Sequence, residues 1–317
     1  VWTHNSWCGY LSNSHTISYT IRNNEGGIDF VSQNSYCFGQ VGSNMDFGFN
    51  KHGICFNETT HRYSYNPMSQ SQKEEAVWLC WRSAAAEMFA TDIDDFFNYI
   101  KTSNSGTYLN GYMVIDANTK EMSLIEMSYK RFAMLRCGKD SCLTGKYEPE
   151  NEFDPDLDYD KHLMTNEYIL GVNYPVFKKV AYDLGSTDNR PLRRVQFFDM
   201  IGNVNNEEDA KALITHIADD EPLSIYGRWD LGFGTTEYPR TIPDGAVDSK
   251  AFSANKVLEL LSSLKYEPSD EGTKTSFWML PFVWSQSPWK EYKDDPAKDF
   301  VPDELTGKWH QTKLFLK

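Results

Sequence analysis

The chain has 317 residues, of which 40% are hydrophobic, 24% charged and 15% aromatic, so it can form a packed core and is not disordered overall. Its net charge of −14 excludes the basic surface typical of nucleic-acid-binding proteins, and we expect no nucleic-acid partner. No apolar run reaches the roughly 18–20 residues that cross a bilayer, so the sequence predicts no membrane-spanning segment.

The first sixty residues alternate apolar and polar side chains, as half-buried strands do. Strands are predicted in the opening segment VWTHNSWCGY, in HTISYTIR and, after the turn NNEGG, in IDFVSQNSYCF. The segment FGFNKHGICFNETT predicts a hairpin with its turn at Lys51–Gly53.

Helices and then strands are predicted in the next hundred residues. Gln72–Ala90 carries apolar residues at helical spacing, and Thr91 is the expected N-cap of a second helix, DIDDFFNYIK. A polar turn and two strands follow within Ser103–Met134. The acidic stretch Lys146–His162 is predicted to be a solvated connection and not a calcium site, because it lacks the glycine and terminal glutamate of an EF-hand loop.

The C-terminal half predicts three helices and a strand. The helices are RPLRRVQFFDMIG, NEEDAKALITHIA and SANKVLELLSSLK, and the last two have Asn206 and Ser253 as expected N-caps. The most apolar stretch, Ser276–Trp284, has the length of a buried strand. Because groups of hairpins alternate with groups of helices, the pattern indicates an α+β fold in which helices cover antiparallel sheets.

The number and spacing of the six cysteines are more typical of disulfides formed in an oxidising compartment than of the ligands of a zinc site. Cys137 and Cys142 stand close enough in RCGKDSC to close one loop as a disulfide, as in many secreted proteins. There is no CxxC pair and no zinc-ribbon spacing, so we predict neither a metal nor another cofactor. Asn57 begins the one glycosylation sequon, NET, which also fits secretion.

Several common hydrolase motifs are missing from the sequence. There is no GxSxG elbow, no HExxH zinc motif and no phosphate-binding loop. Cys8 follows His4 by four residues, which places the two on one face of a strand but about 13 Å apart, too far for a hydrogen bond. Cys8 is therefore predicted to be a buried or disulfide thiol and not a nucleophile.

Polar residues at three places are candidates for a site. Asn110, between Gly106 and Gly111, is either a turn residue or a side chain that a strand end presents to a substrate. One arginine of the pair Arg193 and Arg194, beside an apolar helix face, is expected to project inward, where a guanidinium needs an acid or anion partner. The cluster of His4 with its neighbours in the opening strand is either an amphipathic strand or part of a pocket.

Eight short motifs, in order along the chain, resemble those of the phospholipase B-like (lamina ancestor-like) family. VWTHNSW resembles the family's hHNTW, where h is apolar, GICFNETT resembles GLxxxETT, and SNSGTYLNGYMVID resembles NSGTYNNQWMIVD. LIEM corresponds to LEQ, LRRVQFF to PRAQIF, RWDL to RSDL, GAVDSKAFS to GGIDVKVTS, and PFVWSQSPW to PFQWSTSPF. The resemblance thus covers nearly the whole chain, residues 1–317, as one phospholipase B-like hydrolase domain.

The resemblance implies an αββα four-layer sandwich of the N-terminal nucleophile hydrolase type, with two facing antiparallel sheets. In that superfamily a Cys, Ser or Thr that self-cleavage leaves at the N-terminus attacks a carbonyl, and its own α-amine acts as base. The match implies that Asn110 donates to the developing oxyanion and that Arg194 orients the substrate or the nucleophile's amine. It also implies that His4 and Trp7 line the same pocket as Asn110, with Thr59 on the strand opposite.

The chain departs from the family at the nucleophile. The family's catalytic cysteine begins the strand before HNTW, whereas this sequence starts three residues before His4. The expected nucleophile therefore lies on an upstream segment of the same precursor, or it has been lost. We expect that segment and a small-molecule or lipid substrate as partners, and leave homo-oligomer formation open.

Three functional hypotheses follow. The first is a secreted or lysosomal hydrolase that cleaves an amide or ester bond of a small molecule or lipid. The second is an inactive structural or binding protein that retains the fold, which the missing nucleophile and LNGY in place of NNQW favour. The third, a carbohydrate-binding module, rests on the Trp and Tyr content alone.

Overall fold

The computed structural model describes residues 1–9, 17–23, 27–34, 47–61, 75–106, 108–138, 142–148, 168–185, 192–216, 225, 227–228, 244–262, 273–281 and 309–314. The chain divides into two compact units, each assembled from separate stretches. Val1–Tyr19, Gln33–Gln40 and Val195–Lys317 form the first unit, and Thr20–Ser32 with Val41–Arg194 form the second. The single domain predicted over residues 1–317 stays a prediction.

The described strands form two sheets. In chain order they are β1 (Trp2–Gly9), β2 (Ile17–Arg22), β3 (Ile28–Asn34), β4 (Phe47–Asn50), β5 (Ile54–Thr60), β6 (Asn110–Asp116), β7 (Glu121–Met127), β8 (Phe132–Cys137), β9 (Cys142–Glu148), β10 (Gly227–Arg228), β11 (Asp244–Phe252), β12 (Thr273–Pro281) and β13 (His310–Leu314). The large sheet contains β2 to β9 in sequence order. The small sheet has the order β1-β11-β12-β13, with β10 also paired to β11.

Helices lie against both sheets. Those described are α1 (Leu79–Phe89), α2 (Ile93–Lys101), α3 (Lys178–Leu184), α4 (Leu192–Ile201), α5 (Glu207–Ile214) and α6 (Ala254–Ser262). α1 and α2 pack on each other and on the large sheet, and α5 packs on β1 and β11 of the small sheet. The α+β class, with helices covering antiparallel sheets, is therefore confirmed, while the facing of the two sheets stays a prediction. No helix in the described ranges is long and apolar enough to cross a bilayer.

Two local features predicted from the sequence are confirmed. The turn Lys51–Gly53 joins β4 to β5, and Gly53 has a φ of 81°, a left-handed value that glycine adopts without strain. Asn206 caps α5, because its side-chain oxygen accepts the backbone N–H groups of Glu208 at 2.9 Å and Asp209 at 3.1 Å.

The helix predicted at Gln72–Ala90 begins later than expected. α1 starts at Leu79, because the preceding Val77 forms a parallel bridge with Asn104 and its amide donates to the Ser103 carbonyl at 2.8 Å. A tertiary contact therefore overrides the helical propensity of this stretch. The first three residues of the predicted helix lie outside the described ranges.

The N-cap of α2 is Asp92 and not Thr91. The Asp92 carboxylate accepts the backbone N–H of Asp95 at 2.8 Å, whereas the Thr91 hydroxyl donates to the Asp95 side chain at 2.5 Å. A carboxylate also interacts favourably with the positive end of the helix dipole, which a hydroxyl does not.

Two other predicted segments lie only partly within the described residues. The apolar strand Ser276–Trp284 is β12 as far as Pro281, and the acidic connection Lys146–His162 begins as the last residues of β9. The rest of both segments lies outside the described residues. α6 begins directly after Ser253, as predicted.

Aromatic side chains mark the face of the large sheet that α2 covers. Phe56 on β5 stacks on Phe30 with ring centroids 6.0 Å apart, and it also contacts Phe96 of α2. Phe96 meets Tyr112 of β6 edge-on at 5.5 Å. All four rings are buried. We call this side of the large sheet the helix face and the other side the opposite face.

Two further predictions concern residues on these strands. Asn57 lies on an interior strand of the large sheet and is 5% exposed, so its burial argues against the predicted glycan, which needs a surface position. Cys137 and Cys142 are direct cross-strand partners at the ends of β8 and β9. This register agrees with the predicted disulfide, which stays a prediction.

Candidate functional site

The pairing of β5 with β6 puts the predicted site residues on two faces of the large sheet. Thr60 lies opposite Asn110, and Thr59 lies opposite Gly111. Because successive side chains of a strand point to opposite sides, Asn110 shares the helix face with Thr60, and Thr59 is on the opposite face. Asn110 and Thr59 therefore face different sides of the sheet, while the pocket predicted for Asn110, His4 and Trp7, with Thr59 on the strand opposite, stays a prediction.

Asn110 belongs to a buried hydrogen-bond network on the helix face. Its side chain is 0% exposed, and its amide nitrogen donates to the Glu58 carboxylate. Glu58 also accepts from the Thr60 hydroxyl at 3.2 Å, and that hydroxyl is bonded to the hydroxyl of Tyr108. The Asn110 carbonyl oxygen has no hydrogen-bond partner among the described residues. Asn110 thus ties β6 to β5 beneath the helices, a role that neither sequence interpretation predicted.

Tyr112, two residues along β6 from Asn110, lies on the same buried face. Burial raises the pKa of Tyr112 well above its ordinary value, and the charges of Glu87 and Glu58 add to the effect. Tyr112 is therefore held in its neutral form and is not available as a base.

A second polar cluster lies on the opposite face, and we call it the His61 cluster: Thr59, His61, Glu126, Asn173, Arg193 and Arg194. Gly111 marks its centre, because a Cβ atom there would lie 2.9 Å from His61 Nε2 and 3.4 Å from Thr59 Cγ2. Glu126 is the partner of Gly111 across the β6–β7 pair. Three neighbouring strands therefore contribute to one buried polar site.

His61 is a neutral, buried imidazole. It is 1% exposed, and burial lowers its pKa from the ordinary 6.5 to about 3, with the charge of Arg194 adding to this and the backbone of Met127 opposing it. Neither ring nitrogen makes a hydrogen bond of good geometry with a described residue. His61 is therefore uncharged at neutral pH.

Glu126 is a buried carboxyl group that faces His61. Its Oε1 atom lies 4.0 Å from His61 Nε2, and its side chain is 2% exposed. Burial raises its pKa from the ordinary 4.5 to about 7, although backbone N–H groups and the charge of Arg194 lower it in part. Within the described ranges no three His, Cys, Asp or Glu side chains form a group that could hold a metal ion.

The residues Asn173–Phe177, which we call the strap, connect this face to β5 and β7. The Asn173 amide nitrogen donates to the Thr60 carbonyl at 2.7 Å and to the Thr59 hydroxyl at 3.3 Å. At the other end, the Val176 amide donates to both Glu126 oxygens at 3.0 and 2.9 Å, and the Phe177 amide donates to one of them at 3.0 Å. The strap is therefore fixed to two strands by polar contacts.

Both arginines of α4 also contact the strap. Arg193 donates to the side-chain oxygen of Asn173 at 2.8 Å, and Arg194 donates to the backbone carbonyl of Tyr174. They are 8% and 3% exposed. One arginine was expected to project inward, and both do. The charge of Arg194 lowers the pKa of both His61 and Glu126.

Sequence reasoning named Thr59 and the pair Arg193 and Arg194, but it missed His61, Glu126 and Asn173. His61 directly follows the ETT motif, and Glu126 is the acid of LIEM, so both stood inside or beside motifs that had been noticed. Asn173 has no signal in the sequence. Its role depends on the strap meeting the end of β5, more than 110 residues earlier in the chain.

His4 and Trp7 lie on β1, in the other unit. His4 is 8% exposed and is the register partner of Lys250 on β11. The neighbouring Asn5 donates to the backbone carbonyls of Ile214 at 2.8 Å and Ile225 at 2.9 Å, which fixes this strand within its unit. The cleft predicted to hold His4 and Asn110 together stays a prediction.

Comparison with known proteins adds two findings. A family model described as Phospholipase B matches residues 1–198. Phospholipase B-like protein G of Dictyostelium discoideum is 27% identical over 279 residues, a match that covers 79% of this chain and 43% of that protein. The chain therefore spans less than half the length of this curated relative.

Proposed function

The chain belongs to the phospholipase B family, and from this we propose that it is a hydrolase that cleaves an amide or ester bond in a small molecule or lipid. The observation that carries the proposal is the His61 cluster, in which a glutamate, an imidazole and two arginines are buried together beside the end of β5. Burying ionisable groups costs folding free energy, and such groups gather where chemistry requires them.

The proposed reaction is acyl transfer to a thiol and then to water. The thiol belongs to a cysteine on an upstream segment of the same precursor, and its own α-amine takes the thiol proton as the sulfur attacks the substrate carbonyl. The tetrahedral intermediate breaks its bond to the amine or alcohol, which leaves with that proton. Water then attacks the thioester, which releases the acid and restores the thiol.

In this proposal the residues of the chain bind and orient the substrate. Arg194 places a fixed positive charge near the carbonyl or the nucleophile's amine, and Thr59 contributes a hydroxyl to the same face. His4 and Trp7 of β1 stay candidate substrate-binding residues, on the family resemblance alone. Asn110 is not assigned the oxyanion-donor role, because its side chain lies on the helix face and its amide nitrogen is bonded to Glu58.

A second candidate function, a binding protein that keeps the fold without activity, is favoured by the start of β6. The family motif NNQW is LNGY here, so Leu109 stands where the motif has its first asparagine. The backbone N–H of His61 donates to the Leu109 carbonyl at 2.9 Å, which continues the β5–β6 pairing by one residue. Because successive side chains of a strand alternate between the two faces, Leu109 lies on the same face as Thr59. Its apolar side chain cannot donate a hydrogen bond to an oxyanion there.

The full-length gene tests the two functions against each other. N-terminal mass analysis of the native protein identifies any upstream peptide that accompanies this chain. Release of fatty acid from a phospholipid and from an N-acylated amine is then measured by mass spectrometry. If the protein is a hydrolase, one substrate is turned over, and replacing the upstream nucleophile by Ala abolishes both turnover and self-cleavage.

Arg194→Lys provides a sharper test of the site, with Arg136→Lys as the matched control. Arg136 forms surface ion pairs with Asp94 at 2.7 Å and Glu121 at 2.8 Å, away from the His61 cluster. We expect a loss on the order of tenfold or more in turnover for the first variant and little change for the second, since an ammonium does not replace a guanidinium that orients a group. Folded protein that binds the lipid without turnover would establish the binding function instead.

We also propose that the protein acts in the secretory pathway or the lysosome and carries a disulfide between Cys137 and Cys142. The direct cross-strand register of the two residues supports the bond. A homo-oligomer is compatible with this proposal.

A further inference from the structure

α1 buries its charged side chains and exposes its aromatic ones. Its two charged residues, Arg82 and Glu87, are 4% and 1% exposed. Trp81 and Phe89 are 69% and 57% exposed, and Trp78, which directly precedes the helix, is 67% exposed. A surface helix normally has the reverse arrangement, with its charged residues in water and its apolar residues in the core. The outward side of α1 therefore lacks the charged side chains that suit a helix surface to water.

Hydrogen bonds hold the charge of Arg82 inside. Its Nε atom donates to the Val77 carbonyl at 3.0 Å, one terminal nitrogen donates to the Ile100 carbonyl, and the other donates to the Asn104 side chain at 2.8 Å. The guanidinium cannot turn outward to cover the aromatic rings without losing these bonds. The apolar exterior of α1 is therefore a fixed feature of the fold.

The exposed rings share one side of the helix, which we call the outer α1 face: Trp78, Trp81, Ala85 and Phe89. These residues are three or four positions apart, the spacing that aligns side chains along a helix. The amide of Trp81 donates to the carbonyl of Trp78 at 3.1 Å, which places Trp78 on the first turn. At 1.5 Å per residue the face is about 16 Å long.

The outer α1 face is too small for a stable protein interface. An aromatic side chain has roughly 150–250 Å² of surface, so the exposed fractions of the three rings give roughly 300–500 Å² in total. A stable protein complex buries about 800 Å² on each partner. A lipid surface has no such threshold, because its binding strength increases with the apolar area inserted. The size of the face therefore favours a lipid surface over a second copy of the chain or another protein.

The charges beside the face decide which lipid surface it fits. Within the described ranges, the first exposed charged residues beyond the two ends of α1 are Glu75 and Asp92, and both are acidic. The whole chain has a net charge of −14. Anionic headgroups repel these charges, whereas a zwitterionic surface has no net charge. Tryptophan rings also suit the boundary between headgroups and acyl chains, because they are apolar with one polar N–H group.

We propose that the outer α1 face docks the protein on a zwitterionic phospholipid surface, with its three aromatic rings inserted at the level of the headgroups. The helix then lies along the surface and does not cross it. Glu87, on the inner side of α1, acts electrostatically on Tyr112 of the helix face, so the outer α1 face points away from the sheet and from the His61 cluster. The inference goes beyond the proposed function, because docking requires no turnover.

Sedimentation of the protein with phosphatidylcholine vesicles measures the docking. The variant carries both Trp78→Ser and Trp81→Ser. The control is Tyr182→Ser, because Tyr182 of α3 is an aromatic residue that is 84% exposed but does not belong to the outer α1 face.

We expect the double variant to bind on the order of 100-fold more weakly than wild type, since each half-buried ring contributes about a factor of ten. The control should bind like wild type, and wild type should bind phosphatidylglycerol vesicles more weakly than phosphatidylcholine vesicles. Vesicle binding that survives the double substitution, or that is stronger to phosphatidylglycerol, would overturn the proposal.

Hydroxyl-radical footprinting of wild-type protein, read by mass spectrometry, tests the same face without a variant. Trp78 and Trp81 should be oxidised in the absence of vesicles and protected in their presence, while Tyr182 should be oxidised equally in both. Rings that resist oxidation without vesicles are covered by another part of the protein, and protection that rises with protein concentration alone indicates a second copy. Either result would refute the proposal.

The two experiments also separate this inference from the proposed hydrolase function. Protein that docks through the outer α1 face but cleaves no substrate refutes the hydrolase function and leaves the docking intact. Protein that cleaves a substrate but does not bind vesicles refutes the docking alone.

Discussion

Replacing Gly111 by Ala tests how tightly the His61 cluster is packed. The added Cβ would lie 2.9 Å from His61 Nε2 and 3.4 Å from Thr59 Cγ2, so the imidazole has to move by about half an ångström. His61 is only 1% exposed, so this movement takes place within the packed interior. Overpacking of this kind costs about 1–3 kcal/mol of unfolding free energy.

Gly202→Ala is the matched control, because a Cβ at that position meets no heavy atom within 4 Å. Both substitutions remove a glycine from the unfolded chain, which by itself stabilises the fold by about 0.4–1 kcal/mol. Their difference, measured by urea unfolding followed by tryptophan fluorescence, isolates the crowding at Gly111. We expect Gly202→Ala to be more stable than Gly111→Ala by about 1–3 kcal/mol.

A double-mutant cycle identifies the side chain responsible for the crowding. Asn at position 61 is shorter than His and lacks the atom nearest to the new Cβ. In a His61→Asn background, the cost of Gly111→Ala should therefore fall by about 1 kcal/mol or more. Equal stability of the two glycine variants, or a cost unchanged in the His61→Asn background, would refute the packing assigned to this site.

Three further outcomes are expected. Asn110→Ala should lower the unfolding free energy by about 1–3 kcal/mol, because it leaves the buried Glu58 carboxylate without that donor; a loss of turnover at unchanged stability would restore the predicted oxyanion role. Asn206→Ala should cost about 1 kcal/mol in urea unfolding by removing the cap of α5, and no change would show that the cap is unimportant. Peptide mapping without reductant should recover Cys137 and Cys142 in one linked peptide, and two free thiols would argue against maturation in an oxidising compartment.

The sequence predicted local features well where a few neighbouring residues decide them. The turn ending at Gly53 and the Asn206 cap depend on backbone geometry and on side chains within three residues, and both are confirmed. The start of α1 was predicted too early, because Val77 is held by residues from beyond α2 that no local pattern reveals. Boundaries fixed by tertiary contacts therefore escape prediction from one sequence.

The candidate site shows the same division between local and distant information. Motif matching predicted Asn110 and Thr59 as site residues, but a motif does not record which side of a sheet each residue faces. Successive residues of a strand face opposite sides of the sheet. Only the register of β6 against β5 shows which side Asn110 and Thr59 each face. Glu126 became a candidate through its contact with the strap and His61 through its proximity to Glu126, and both contacts join segments far apart in the sequence.

The pairing of β1 with β11 has a consequence for how the protein is made. Gly9 ends β1, and its partner strand begins at Asp244, so β1 leaves the ribosome some 235 residues before the strand that it pairs with. At about 5–20 residues per second this delay is on the order of ten seconds or more, during which β1 lacks its described partner strand. The stretch matched by the family model, residues 1–198, ends before β11 begins and so leaves β1 without its partner. A fragment cut at that boundary should therefore expose an unpaired strand edge and aggregate, although it contains every residue of the His61 cluster.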